Sequence, residues 1–119
     1  TDLNSLKLNN FLKKINNERI KITYDTGNSA FWSHDYKQIL DLLRNNISHV
    51  HIKDCTPKNY SVKLGTGDVN FDYIFKNLKK MNYTGNFILQ AAREIDEIKN
   101  CTNQFKFTQN YINKYFKWN

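Results

Sequence analysis

Three side chains that could bind a metal ion stand at the ends of three strand-like segments. Asp25, His51 and Gln90 each close a short segment in which apolar and polar residues alternate. A carboxylate, an imidazole and an amide oxygen form a donor set that suits a divalent cation such as Mn²⁺, Mg²⁺, Zn²⁺ or Co²⁺. Plainer roles stay open, because a strand-end Asp often caps the next turn and a strand His is often a hydrogen-bonded packing residue.

A polar loop with two glycines is the second candidate for chemistry. Gly65 and Gly67 alternate with larger residues, so their backbone N–H groups could approach an anion, and the helix that follows adds partial positive charge at its N-terminus. Lys53, Lys58 and Lys63 could supply the countercharge for a phosphate. A plain turn between a strand and a helix explains the two glycines equally well.

The segments that carry these residues alternate with helices. Strands are predicted at 20–24, 47–52 and 86–90 from β-type alternation. Apolar residues recur at positions i, i+3, i+4 and i+7 in three helices. These residues are Leu8, Phe11, Leu12 and Ile15, then Tyr36, Ile39, Leu40 and Leu43, then Phe71, Ile74, Phe75 and Leu78.

Helix ends are predicted from capping residues. Asp35 is the expected N-cap of the second helix and Asn70 that of the third. From Glu94 onward the chain is predicted to be helical, with a break near 100–103. The resulting order, αβαβαβα, favours three parallel strands joined by right-handed crossovers, in an α/β fold with four helices.

Each predicted strand has an apolar face and a face with polar side chains. Asp25, His51 and Gln90 belong to the polar face, together with His49 one layer deeper in the second strand. A polar sheet face is costly to bury unless it lines a barrel interior or a binding site. In α/β barrels, the carboxyl ends of the strands are where the chemistry is assembled. Packing inside a barrel is the better interpretation of His49.

Composition narrows the class of protein. The chain has 119 residues, the length of one domain or part of one. Its 2 Trp, 7 Tyr and 8 Phe can build a core, which excludes a disordered tail, and its apolar runs are too short to span a membrane. The formal charge of +7 comes from lysines spread along the chain rather than from an Arg-rich cluster, so nucleic acid is not an expected partner.

The cysteines and the first residues concern the context of the chain. Cys55 and Cys101 are too few for a disulfide scaffold and lack metal-ligand spacing, so we expect free thiols and a cytoplasmic location. Thr1 opens the chain without a Met or an apolar signal segment, so we expect the chain to begin inside a longer polypeptide. The sequence leaves a homo-oligomer open.

Four short motifs, in order along the chain, resemble one family. They are YDTGN at 24–28, HVHIKD at 49–54, LGTGDVNF at 64–71 and GNFILQ at 85–90. Together they are similar to the C-terminal half of the xylose isomerase-like TIM barrels, in the sugar phosphate isomerase/epimerase group. The resemblance covers essentially the whole chain. It implies a single partial domain over 1–119, the C-terminal portion of a (β/α)8 barrel that three strands leave incomplete.

The resemblance also implies a set of site residues. Asp25 matches the Asp ligand of the family's divalent metal, and His51 matches its His ligand. Gln90 stands where the family usually has a Glu ligand, and it offers a carbonyl oxygen but cannot take a proton. A further ligand, a Glu, is expected upstream of Thr1. These two Glu ligands are the acid/base pair of the ketose 3-epimerase members, so the catalytic residues of this chain are unknown.

Substrate contacts are expected at the same edge of the sheet. Lys53, Asp54 and Arg93 lie close enough to the strand ends to be proposed, with Gly65 and Gly67 of the glycine loop. Arg93 suits a phosphate because a guanidinium group donates hydrogen bonds from two nitrogens. The expected partner is therefore a small-molecule sugar or sugar phosphate, with no membrane.

The implied activity is a metal-dependent isomerisation or epimerisation of a sugar through an enediolate. Two alternatives stay open. His51 and Asp54 form an H-x-x-D motif like that of endonuclease IV-type abasic-site nucleases, and Gln90 would suit a non-catalytic barrel that has lost its metal. We expect these 119 residues alone to be inactive, because three strands leave both sheet edges exposed.

Overall fold

Three parallel strands form the sheet that organises the structure, a computed structural model that describes residues 4–32, 36–58 and 61–116. The elements are α1 (Ser5–Ile15), β1 (Ile22–Asp25), α2 (Thr26–Trp32), α3 (Tyr36–Leu43), a 3₁₀ turn (Arg44–Asn46), β2 (Ile47–Ile52), α4 (Phe71–Lys80), β3 (Asn86–Leu89) and α5 (Glu97–Tyr115). Their order confirms the predicted α/β fold with parallel strands.

The strands are in the order β1-β2-β3, so β2 is the central strand of the described sheet. The register pairs Asp25 with His51 and His51 with Ile88, at the carboxyl ends of the three strands. The pairing shifts between Ile22 and Thr23, near the start of β1. Parallel pairing therefore brings the three predicted strand ends to one edge of the sheet, as expected.

The core lies on one face of the sheet, between the strands and the helices. Tyr24, Val50 and Ile52 are buried there, and they belong to one cluster with Leu40 of α3 and Phe75 of α4. These three residues occupy the alternating apolar positions that the sequence predicts to face the helices. The opposite face is more exposed, and Ile88 on that face is 39% exposed.

Aromatic rings hold α4 and α5 against the third strand. The Phe75 ring is stacked on Phe87 of β3, with ring centroids 5.2 Å apart, and on Tyr111 of α5 at 5.1 Å. Phe116 meets Phe87 edge-on at 5.7 Å. Stacked and edge-on pairs at these distances add to the hydrophobic stabilisation of the core.

Side-chain caps set the starts of three helices. The carboxamide oxygens of Asn4 and Asn70 accept backbone N–H groups at the starts of α1 and α4, and Asp96 does the same for α5. The Asn70 cap confirms the sequence prediction. The predicted cap Asp35 lies outside the described residues.

Two elements differ from the prediction. The sequence predicted no helix after β1, but α2 begins at Thr26 with no residue between it and the strand. The predicted break near 100–103 is absent, because α5 runs continuously from Glu97 to Tyr115. Asn100 is buried there, and its amide donates to the carbonyl of Ala92 at 2.9 Å, so it anchors the helix rather than interrupting it.

Smaller differences concern the ends of the strands. β1 begins at Ile22 rather than at Ile20, and β3 ends at Leu89 rather than at Gln90. Both cysteines are free, with Cys55 buried and Cys101 exposed. None of the helices in the described ranges combines the length and the apolar character needed to cross a lipid bilayer.

Candidate functional site

Asp25 and His51 form a close pair at the carboxyl ends of β1 and β2. They are register partners in the parallel ladder, so their side chains leave the same face of the sheet side by side. Asp25 Oδ2 lies 3.9 Å from His51 Nδ1, and the two side chains are 14% and 30% exposed. The strand register therefore brings together two of the three predicted metal ligands.

The second carboxylate oxygen of Asp25 has a structural role. Asp25 Oδ1 accepts the backbone N–H of Asn28 at 2.7 Å, in the first turn of α2. Such a bond satisfies a donor that the helix itself leaves unpaired. The plainer role that the sequence left open for Asp25 is thus present, and it leaves Oδ2 directed toward His51.

Gln90 lies at the same edge of the sheet, just beyond β3. Its backbone N–H donates to the carbonyl of Ile52 at 3.1 Å, which continues the parallel ladder past Leu89. By alternation it belongs to the face of Ile88, the register partner of His51, one step nearer the rim. Its side chain is exposed, and coordination by Gln90 stays a prediction.

The donor set of the pair fits a divalent metal ion. Two ligand atoms that each lie about 2 Å from one ion are at most about 4 Å apart, so the 3.9 Å separation of Asp25 Oδ2 and His51 Nδ1 is compatible with a shared ion. Among residues 4–32, 36–58 and 61–116, no three His, Cys, Asp or Glu side chains gather into a possible metal site. These residues thus provide two such ligands, and Gln90 is the candidate for a neutral third.

Lys53 connects the ends of β1 and β2. Its backbone N–H donates to the hydroxyl of Thr26 at 2.9 Å, and that hydroxyl donates to the Lys53 carbonyl at 2.5 Å. Its ammonium group donates to the side-chain oxygen of Asn28 at 3.1 Å. Lys53 therefore places a positive charge beside the first turn of α2, directly after Asp25, where a substrate oxygen could be bound.

The sequence reasoning missed Thr26 and Asn28 as members of this rim. Thr26 is fully buried, and Asn28 is exposed. The signal in the sequence is the stretch Thr26-Gly27-Asn28 directly after the strand-end Asp25, but nothing local to it indicates a contact with Lys53. The role of Thr26 and Asn28 depends on Lys53, which follows β2 in a separate part of the chain.

Asp54 occupies a different environment from the one expected of a substrate contact. Its side chain has no exposed surface. Oδ1 accepts the N–H of Cys55 at 2.9 Å and that of Val69 at 3.2 Å, while Oδ2 accepts those of Gly65 and Gly67, each at 2.9 Å. This carboxylate is directed into the loop, on the buried parity of Ile52, rather than toward the Asp25–His51 pair.

The glycine loop is therefore built around a side chain of the protein itself. The N–H groups of Gly65 and Gly67, which the sequence offered to a phosphate, both donate to Asp54. Gly65 has φ +83°, a conformation that favours glycine. A Cβ atom at Gly67 would lie 2.5 Å from the Cys55 carbonyl oxygen, so only glycine fits there without a shift.

Arg93 lies on the segment between β3 and α5. It is exposed and borders an open depression whose other lining residues include Glu94, Glu97 and Asn100. The two carboxylates reduce the positive potential that a phosphate would meet there. Its predicted contact with a substrate phosphate stays a prediction, as do the contacts predicted for the exposed Lys58 and Lys63.

His49 and Cys55 complete the surroundings of the pair. His49 Nδ1 lies 2.8 Å from the hydroxyl of Ser48, one layer below His51. The Cys55 thiol donates to the carbonyl of Gly27 at 2.9 Å, and burial raises its pKa. A buried thiol with a raised pKa holds its proton at neutral pH, so Cys55 is a packing residue rather than a nucleophile.

Comparisons with known proteins show the family to which the chain belongs. A sequence profile of the xylose isomerase-like TIM barrel family matches residues 5–111. The chain therefore belongs to the xylose isomerase-like TIM barrel family, and its open three-stranded sheet is part of such a barrel. The resemblance seen in the four motifs is confirmed.

Individual relatives extend this result. The chain is 32% identical over 90 residues to a protein of Haemophilus influenzae named putative L-ribulose-5-phosphate 3-epimerase SgbU, an alignment that covers 70% of this chain and 32% of the relative. The crystal structure of a xylose isomerase domain protein from Planctomyces limnophilus matches 93% of this chain and 44% of that one, with a TM-score of 0.79 and 19% identity. A structure of the IolI protein with a bound zinc atom matches with a TM-score of 0.69 and 16% identity, over 94% of this chain and 44% of that one.

The chain spans about a third of the length of the first curated relative and less than half of the matched structures. A barrel strand outside these 119 residues can contribute ligands and bases that the described part of the chain does not contain. The activity of the whole protein is therefore argued below as a proposal.

Proposed function

We propose that this chain forms part of the active-site rim of a metal-dependent sugar or sugar-phosphate isomerase or epimerase. The observation that carries the proposal is the Asp25–His51 pair, with 3.9 Å between Oδ2 and Nδ1 at the carboxyl ends of adjacent barrel strands. That edge is where α/β barrels assemble their catalytic groups. The relative named as a putative L-ribulose-5-phosphate 3-epimerase supports the same class of reaction.

Asp25 and His51 are the residues that would hold the metal ion, with Gln90 as a further oxygen donor. The zinc-bound neighbour supports a metal in this fold, and the identity of the ion here stays open among Mn²⁺, Mg²⁺, Zn²⁺ and Co²⁺. A bound divalent ion would supply electrostatic stabilisation for the negative charge that develops on a sugar oxygen. The reaction that we propose passes through the enediolate of the sugar.

The described residues would position the substrate more than they would move its proton. The Lys53 ammonium can donate to a substrate hydroxyl or phosphate oxygen, and its bond to Asn28 fixes its direction. Gln90 is neutral and cannot accept a proton, so a base at that position is excluded for this chain. The bases that transfer the proton are expected on other strands of the barrel, with a Glu upstream of Thr1 as the first candidate.

The setting of the enzyme belongs to the same proposal. Its partner is a small-molecule sugar, and Lys53 and Arg93 are the cations available to a phosphorylated one. We place the protein in the cytoplasm, because two unpaired thiols are usual in a reducing compartment. The nuclease alternative receives no support from the motif that suggested it, because the Asp54 carboxylate is already bonded to four backbone N–H groups.

The test compares the two histidines of β2 in the complete polypeptide that carries this chain. Purified protein is analysed for bound divalent metal and assayed with a panel of ketoses and ketose phosphates. His51→Gln is expected to lower the metal content and to reduce turnover about 100-fold or more. The matched control, His49→Gln, changes the same residue type on the same face one layer deeper and is expected to retain the metal.

Two outcomes would overturn the proposal. One is wild-type protein that contains no divalent ion, binds none on addition, and gains no binding when Gln90→Glu restores a carboxylate; the non-catalytic barrel would then be the better interpretation. The other is incision of a duplex with an abasic site by the wild-type protein, with no turnover of any sugar.

A further inference from the structure

We propose that Asp54 is a positioning residue whose carboxylate occupies an anion site in the glycine loop, so that the loop orders the rim and does not bind a substrate phosphate. The part of this proposal that concerns the rim rests on the proposed function. The part that concerns the anion site depends only on the loop, defined here as residues 61–70.

The carboxylate is satisfied by backbone donors. Four N–H groups, from Cys55, Gly65, Gly67 and Val69, lie 2.9–3.2 Å from its two oxygens. Backbone N–H groups that converge on one point form a concavity of the kind that binds phosphate in other proteins. Here the same concavity is filled by a side chain with no exposed surface, so no room is left for an external anion.

The loop is shaped to enclose this group. The N–H of Val62 donates to the backbone carbonyl of Asp54, and the N–H of Asp68 donates to that of Cys55, at 2.9 and 2.8 Å. The loop therefore closes over Asp54 from both of its ends. A carboxylate removed from water needs such donors, because an unpaired buried charge is strongly unfavourable.

The neighbours of Asp54 connect this loop to the metal-binding pair. Lys53 precedes it and is bonded through backbone and side chain to Thr26 and Asn28. Cys55 follows it and donates its thiol proton to the carbonyl of Gly27. The residues on either side of Asp54 thus hold the segment that follows Asp25, and a displaced Asp54 would move the Lys53 ammonium.

The first experiment uses the wild-type protein and inorganic phosphate. The amide resonances of Gly65 and Gly67 are assigned in the ¹⁵N-labelled complete polypeptide, and phosphate is added to about 50 mM at constant ionic strength. If Asp54 fills the site, both resonances stay in place. Saturable shifts at both glycines would overturn the proposal, because they would show that the loop accepts an external anion. This measurement needs no variant.

The second experiment empties the site and refills it. Asp54→Ala is expected to lower the melting temperature by about 5 °C or more, since it leaves backbone donors unpaired in the interior. Sodium formate, a carboxylate that fits the space left by the side chain, is expected to restore at least half of this loss and to shift the Gly65 and Gly67 amides. Sodium chloride at equal ionic strength is expected to restore none of it.

Matched variants make the rescue specific. Asp54→Asn keeps the volume, so formate cannot enter, but its NH₂ group faces N–H donors; it is expected to be destabilised and not rescued. Asp68→Ala removes an exposed carboxylate from the same loop and is expected to behave as wild type in every salt. An Asp54→Ala protein as stable as wild type, or equal rescue by formate and chloride, would overturn the proposal.

These outcomes are separate from the fate of the proposed function. The amide shifts and the formate rescue are measured without metal or sugar, so they remain decisive if no turnover is ever found. If turnover is found, Asp54→Ala is expected to raise KM more than it lowers kcat, with partial recovery in formate, because Lys53 contacts the substrate rather than the proton.

Discussion

Asp25 and Asp54 leave the ends of adjacent strands, yet the structure uses the two carboxylates in opposite ways. One carboxylate oxygen of Asp25 accepts the N–H of Asn28 and the other is directed toward His51, with 14% of the side chain exposed. Asp54 gives both oxygens to four backbone donors and has no exposed surface. The same side chain is therefore available for chemistry in one place and fully occupied in the other.

The sheet face that each side chain leaves, and the path of the chain after β2, explain this difference. Asp25 lies on the sheet face that the helices do not cover, whereas Asp54 continues the buried parity of Val50 and Ile52 past the end of β2. Loop 61–70 then returns over Asp54 and supplies the donors. A carboxylate at a strand end thus becomes a ligand or a structural group according to the face it leaves and the loop that meets it.

The largest expected effect separates the two aspartates by stability. Asp54→Ala should lower the free energy of unfolding by about 3–5 kcal/mol, because the backbone donors around it lose a charged partner in the interior. Asp25→Ala should cost only about 1 kcal/mol, the usual effect of losing a helix cap. Urea unfolding of the complete polypeptide measures both. Equal losses would remove the distinction between the two sites.

Turnover, unlike stability, should be affected more by substitution of Asp25 than by substitution of Asp54. Asp25→Asn keeps a good cap for α2 but removes the negative charge, so turnover should fall about 100-fold while the free energy of unfolding stays within about 0.5 kcal/mol of wild type. Asp41→Asn, a charge change at an exposed position of α3, is the control and should leave turnover intact. Retention of full activity and metal content by Asp25→Asn would contradict the assignment of this residue as a ligand.

Substitutions at two glycines, Gly67 beside Asp54 and Gly27 beside Lys53, should test the same comparison with smaller effects on stability. A Cβ at Gly67 would lie 2.7 Å from the Asp54 carboxyl carbon and 2.5 Å from the Cys55 carbonyl oxygen, so Gly67→Ala should cost about 1–3 kcal/mol. A Cβ at Gly27 would lie 2.8 Å from Lys53 Cγ, a flexible side chain that can move aside. Gly27→Ala should therefore cost less than about 1 kcal/mol of stability and instead raise KM. Thermal melts and initial-rate kinetics distinguish the two.

The smallest effect is expected at an exposed aspartate that serves as a baseline. Hydrogen bonds from Lys114 and Tyr115 lower the pKa of Asp72 below its ordinary value of 3.8. Because this pKa is lower in the folded state, the stabilisation is present above the ordinary value and is lost as the pH falls through the folded one. Asp72→Asn should lower the melting temperature by about 1–2 °C at pH 7, less at high salt, since the pair is exposed. A constant difference between pH 7 and pH 3 would contradict this origin.

Much of the fold was predictable because its signals are local. Strand alternation gave β2 at 47–52, and the Asn70 cap marked the start of α4. The short helix α2 is not predictable from local signals, because Thr26-Gly27-Asn28 has the composition of a turn and helix formation there depends on the Asp25 cap and on the contact with Lys53, just after β2. The wrongly predicted break in α5 has the same cause, since Asn100 disfavours a helix by propensity but is anchored through Ala92.

Part of the candidate site was also predictable from the sequence. Parity and parallel pairing were sufficient to place Asp25 beside His51. They could not assign Asp54 to the loop, because its partners Gly65, Gly67 and Val69 lie 11, 13 and 15 residues further along the chain. The burial of Asp54 could have been inferred because it shares the alternating position of Ile52. The four hydrogen bonds from backbone N–H groups to its carboxylate could not.

The direct passage from β1 into α2 has a consequence for how this protein can change in length. With no residue between Asp25 and Thr26, a one-residue insertion there would shift the N–H of Asn28 away from the Asp25 carboxylate that caps it and would separate the Thr26 hydroxyl from Lys53. The stretch 57–58 is exposed and is not a direct junction between a strand and a helix. Insertions and deletions in homologous chains should therefore accumulate after Thr56, while the spacing from Tyr24 to Asn28 stays fixed.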